Sequence, residues 1–146
     1  MKWTDSPWWP PLCVAFLAIF IYIPTLWFGF INIDDPWLIR DRLFLHSWDF
    51  SKMEGIFLDL SVAQRLRLGG EYLPVRDLSV IFDYTLYGSW IGGQHLTNIL
   101  LYGLLTGGLT FLVMLWMRSR VLAWLVGTIY ALHPIHVEAV AWLSER

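Results

Sequence analysis

Between Ser6 and Ile33 the chain carries no charged side chain, and between Leu96 and Met117 it carries none again. Apolar runs of this length are long enough to cross a bilayer as helices. Composition agrees: 57% of the 146 residues are hydrophobic and 15% charged, where a soluble domain carries roughly 25% charged residues. Ten tryptophans fit a chain that meets a lipid–water boundary. The sequence predicts an all-α integral membrane protein. It should have about three membrane helices, with amphipathic surface helices in a long first extracytoplasmic loop.

Several classes are disfavoured at once. A net charge of -2 with no basic patch gives no case for a nucleic-acid partner. Cys13 is the single cysteine, so no internal disulfide exists and redox compartment stays unread. The uncharged N-terminal run exceeds the roughly 7–15 residues of a secretory h-region and lacks a small-x-small cleavage site, so it reads as an uncleaved anchor. Nothing resembles an H-E-x-x-H helix, a Cys/His nucleophile pair or a phosphate-binding glycine loop.

The first helix is expected over 12–30, about 28 Å of rise. Pro10-Pro11 suits its first turn and Pro24 should kink it. Pro36 should bias Asp35 away from α geometry, ending the helix at or before the acidic pair. The loop is expected over 34–90, with surface helices at 56–68 and 74–87. The latter places Leu78, Ile81, Phe82, Thr85 and Leu86 at helical spacing. The second membrane helix is expected over 95–117 with Gly103-x-x-x-Gly107, a pattern that lets helices approach closely in lipid. A third starts at Val121 and either stops near His133 or continues, kinked, to Leu143. Arg118 and Arg120 in the short loop between these helices place that loop, and with it the N-terminus, in the cytoplasm. The Asp34–Trp90 segment and the far end of the third helix then share the opposite membrane face.

Ionisable groups at membrane depth are costly and mark candidate sites. Asp34-Asp35 reads either as a solvated helix stop or as a general base beside a second carboxylate, since like charges held close push one of such a pair toward a basic range. His133, His136 and Glu138 read as ligands of a divalent metal, as contacts to an anionic substrate, or as interfacial polar groups satisfied by loop backbone. Arg76, at the first turn of a surface helix, reads as a phosphate contact or as a simply paired arginine.

Four stretches occur in a telling order: Phe30-Ile31-Asn32-Ile33-Asp34-Asp35-Pro36-Trp37, Tyr72-Leu73-Pro74-Val75-Arg76-Asp77-Leu78-Ser79, Gln94-His95-Leu96-Thr97-Asn98, and the closing block from His133 to Arg146. The set resembles the N-terminal part of the transmembrane and tetratricopeptide repeat-containing protein O-mannosyltransferase family, from about Trp27 onward. The His-Pro-x-His-x-Glu block is its most specific piece. The resemblance implies a GT-C-type glycosyltransferase of the bacterial inner membrane or endoplasmic reticulum. Its donor would be a polyprenyl-phosphate-linked sugar, mannose-like, and its acceptor a protein hydroxyl. Asp34 or Asp35 would be the catalytic base. His133, His136 and Glu138 would line the donor phosphate or sugar, with Arg76 a looser candidate. Members of such a family continue through further membrane helices and a repeat tail, so the chain is expected to be an N-terminal fragment, inactive alone. The contrasting readings are a membrane metal- or ion-handling protein using the same five acidic and histidine side chains, and an inactive membrane remnant.

Overall fold

The structure is a computed structural model that describes residues 8–31 and 33–145. Ser6, Asn32 and Arg146, named above, lie outside the described residues. Among the described residues every regular element is helical.

Helix α1 spans Trp9–Tyr22 with Pro10 and Pro11 buried in its first turn, where a missing N–H costs nothing. It continues as a 3-10 helix, Ile23–Trp27. Pro24 sits in that tightened turn, and the helix ends at Trp27 rather than at Phe30. A π-helical turn follows over Pro36–Arg40, with Asp35 itself in right-handed helical geometry at φ -54, ψ -40. This corrects the expectation that Pro36 would force Asp35 out of that region. The bias is offset by two hydrogen bonds that the Asp35 carboxylate makes only when the chain turns here.

The loop holds a short 3-10 turn, Leu43–Leu45, then α2 (Lys52–Phe57), α3 (Val62–Arg67) and α4 (Pro74–Tyr87). One helix over 56–68 was expected, and two flank a break instead. The cause is local. Ser61 N–H donates to the Asp59 carboxylate at 2.9 Å, and the Ser61 hydroxyl accepts from the Gln64 N–H at 3.3 Å as the cap of α3. Such side chains compete with helix continuation and favour a new start.

Helix α5 runs Ile91–Met117 and ends at Arg118 in the left-handed region, φ 49. Helix α6 is Arg120–Leu132, capped by the Ser119 hydroxyl. It stops at His133, and α7 (His136–Ala141) and a 3-10 turn, Leu143–Glu145, follow. Of the two paths the sequence left open, the chain takes the one that breaks. Thirteen residues rise about 20 Å, so α6 is short for a bilayer core of about 30 Å. Two stretches, Trp9–Trp27 and Ile91–Met117, are long and apolar enough to cross.

Helix α1 packs mainly on α5, and α6 packs on both. The G-x-x-x-G is at that contact: a Cβ on Gly103 would stand 2.7 Å from Ile19, and one on Gly107 3.1 Å from Ala15. Val14, Ala18, Tyr22, Ile99, Tyr102, Ala131 and Val140 form one buried cluster in this bundle. Phe16, Phe20, Leu104 and Trp116 face outward. A second cluster, Leu38, Ile39, Leu45, Ile56, Leu68, Val80, Ile81 and Leu143, gives the loop its own core.

Candidate functional site

Helix ends leave carbonyls without partners, and the break at His133-Pro134 creates several beside an apolar bundle. Polar side chains on α5 meet them. The Tyr102 hydroxyl, at hydrogen-bond distance from two carbonyls, lies 3.0 Å from that of Tyr130 and 3.2 Å from that of Ala131. One turn earlier, the Asn98 amide donates to the Val140 carbonyl at 3.2 Å. Gln94, Asn98 and Tyr102 therefore form a buried polar stripe at i, i+4, i+8 spacing along an apolar helix. Within it Tyr102 meets the end of α6 and Asn98 meets the terminal block. The sequence reading gave these residues no role, although their spacing was visible.

Within the block, the His136 ring lies 4.2 Å from the Tyr130 ring and 5.5 Å from that of Tyr102, centre to centre. His133 and His136 rings stand 6.0 Å apart. The His133 Nδ1 accepts the Ile135 N–H at 3.2 Å, which tightens the turn through Pro134. His133 and Glu138 are exposed and His136 is half-buried. Beside α7 lies an apolar groove of about 170 Å³ lined by Asn98, Leu101, Tyr102, Leu105, Ala139 and Val140. Among the described residues no group of three or more His, Cys, Asp or Glu side chains is arranged to hold a metal ion. His133, His136 and Glu138 are thus not gathered as a ligand set.

The acidic pair meets the other end of the same block. Asp35 is fully buried, and its carboxylate accepts the Ile31 N–H at 2.9 Å and the Ser144 N–H at 3.0 Å. Asp34 is half-buried, and one of its oxygens accepts the Trp37 indole N–H at 3.2 Å. The acidic turn and the last residues described therefore share one end of the molecule. The histidines stand farther along. They lie at the level of Tyr102, about 15 Å up α5 from Gly92, whose backbone closely approaches that of Leu26 at the end of the first apolar stretch. Among the described residues no hydrogen bond or ion pair joins the acidic pair to His133, His136 or Glu138. Asn98 Oδ1, Trp142 Nε1 and the Ser144 hydroxyl are buried at this junction without a hydrogen-bond partner there, so the seam between the two groups retains polar capacity.

Arg76 is placed elsewhere. Its guanidinium is buried and pairs with Glu71 at 2.9 Å and Asp77 at 3.2 Å, with the Leu68 carbonyl at 3.4 Å. Of the two roles the sequence allowed it, this geometry is that of a paired arginine. Burial lifts the Asp77 carboxyl above its usual range although the Arg76 charge opposes the shift.

An all-helical chain with two helices of membrane-crossing length and a polar junction at one end of its bundle is the class of protein these features define. Over 136 residues it is 30% identical to the Protein O-mannosyl-transferase tmtc2 of Xenopus laevis, a match that takes in 89% of this chain. The chain spans 16% of the length of that curated relative. No family model and no solved structure matches the chain.

Proposed function

We propose that this chain belongs to the O-mannosyltransferase family it resembles and forms the N-terminal part of an integral membrane glycosyltransferase. The enzyme would move a mannose-like sugar from a polyprenyl-phosphate donor to a protein hydroxyl on the extracytoplasmic side. The observation that carries this reading is the Asp35–Ser144 hydrogen bond. It joins the acidic turn to the block that carries the most specific part of the resemblance. The similarity to an O-mannosyl-transferase along 89% of the chain supports it independently.

In this mechanism Asp34 takes the proton from the acceptor hydroxyl. The freed oxygen attacks the anomeric carbon, the bond from that carbon to the phosphate oxygen breaks, and polyprenyl phosphate leaves with inversion. His133, His136 and Glu138 stand too far along the bundle to flank the bond that breaks, and in this mechanism they meet the donor lipid beyond its phosphate. The apolar groove beside α7 suits the first isoprene units. Arg76 holds the loop together and takes no part in the transfer. The test is transfer from polyprenyl-phosphate mannose to an acceptor peptide, measured in the protein that carries this segment. Asp34→Asn is expected to lower kcat by about 100-fold or more with undiminished protein in the membrane. Transfer at the parental rate would remove Asp34 from the mechanism.

A further inference from the structure

We propose that the two carboxylates of the acidic turn divide their work: Asp35 is a positioning residue that latches the terminal block to the first loop, and Asp34 alone is left to react. This rests on the transferase reading above.

Both oxygens of Asp35 are engaged by main-chain donors, Ile31 N–H and Ser144 N–H, and the residue has no exposed surface. A buried carboxylate persists only when its lone pairs are matched in this way. A general base needs a lone pair that the acceptor hydroxyl can reach. Asp35 offers none to a substrate. Asp34 keeps part of its surface in solvent and, among the described residues, makes one hydrogen bond, through one oxygen, to the Trp37 indole. That bond fixes the carboxylate on the turn and leaves its other oxygen open.

The latch also ties the turn that carries Asp34 to the end of the terminal block. Leu143, next to Ser144, is fully buried in the loop core with Leu38 and Ile39. Leu38 N–H in turn donates to the Asp34 carbonyl at 2.8 Å. The Asp35 bonds and this apolar contact act together on residues 109 positions apart in sequence. Because both donors are backbone groups, the device depends on the carboxylate at 35 and on main-chain geometry.

Two readouts test the division in the protein that carries this segment. The first is amide hydrogen exchange in detergent micelles. Asp35→Asn leaves one acceptor oxygen and turns an NH2 toward the other donor. It is expected to speed exchange at Ser144 by about tenfold or more, with α1 and α5 amides unchanged as the check on folding. Asp34→Asn is expected to leave Ser144 protection intact. The second readout is the pH profile of sugar transfer. Asp34→Asn should abolish its acid limb, whereas Asp35→Asn should lower kcat and keep that limb. Unchanged Ser144 exchange in Asp35→Asn, or an acid limb lost with Asp35 and kept without Asp34, overturns the proposal. If Asp35→Asn yields no folded protein, Ser144→Pro removes the donor and Ser144→Ala, which keeps it, controls for the lost hydroxyl; only the first should speed exchange at Leu143 and Glu145, and a segment equally tight in both overturns the latch. A parent that transfers no sugar defeats the transferase reading, while the exchange comparison still decides the latch.

Discussion

The bundle of α1, α5 and α6 and the loop between α1 and α5 are built by opposite rules. In the bundle, small residues allow the closest helix contacts, Gly103 with Ile19, Gly107 with Ala15 and Gly127 with Thr110, and Phe20 and Leu104 are exposed, although Val14, Tyr22, Ile99 and Tyr102 are buried between the helices. The loop instead has a core of large aliphatics, Leu45, Ile56, Leu68 and Ile81, with a charged pair, Arg76–Asp77, buried beside them, while Leu43, Leu58, Leu60, Val62 and Leu66 stay exposed. Lipid gives no hydrophobic gain for bringing helices together, so close backbone approach must hold them. A segment in water gains from burying apolar area and orders itself around it. Such a contrast is what a chain divided between lipid and water is expected to show. The candidate site lies where the two regions meet.

The largest effect should come from the loop's buried ion pair. Arg76→Met strips Asp77 of its partner inside an apolar core, a change that costs about 3–5 kcal/mol. The cost should shrink at acidic pH. Asp77 already holds its proton above the ordinary 3.8, and it holds it more tightly without the guanidinium. In the parent, the same raised pKa means that the Asp77 contribution is most favourable below 3.8 and is lost as pH rises through the folded value. Denaturation followed at pH 5 and pH 8 checks both statements. Equal losses at the two pH values would show that Asp77 is not the buried acid described.

Next in size is a breach of the bundle. A Cβ on Gly127 would fall within 3.2 Å of three Thr110 side-chain atoms, so Gly127→Leu should separate α6 from α5 at a cost of about 1–3 kcal/mol. The loop core should be unaffected, as judged by hydrogen exchange at Ile56 and Ile81. Spread of the damage into those amides would mean that the two regions fold as one unit. Smallest is the cap between α2 and α3. Ser61→Ala should cost about 1 kcal/mol and fray only Val62–Arg67, seen as faster exchange at Gln64.

Much of this division could be read from residue order. The uncharged runs locate α1 and α5, Pro74 and the following helical spacing locate α4, and Gly103-x-x-x-Gly107 marks a helix contact that the fold makes. What escaped the sequence had specific physical causes. The break between α2 and α3 depends on an Asp59–Ser61 turn that competes with a continuous helix and changes no apolar pattern. Arg76 reads equally well as an anion contact until Glu71 and Asp77 are seen closing around it. Charge placement leads to the expectation that the acidic pair and the far end of the third helix share a membrane face. It could not say that Asp35 accepts a hydrogen bond from Ser144, because that bond involves a backbone donor, which every residue but proline carries.

The central claim is that the acidic turn and the last residues of the terminal block lie together at one end of the bundle, far from the α5–α6 turn. Spin labels on exposed Ile33 and Glu145, in a Cys13→Ser background, measure this in the protein that carries the segment. The expected separation is within about 20 Å, given the reach of the few residues between each label and the Asp35–Ser144 bond. The pair Ile33 and Arg118 should instead read about 30 Å or more, the rise of α5 from Asn98 to its end. A long Ile33–Glu145 distance, or a short one to Arg118, would contradict the shared end on which the site depends.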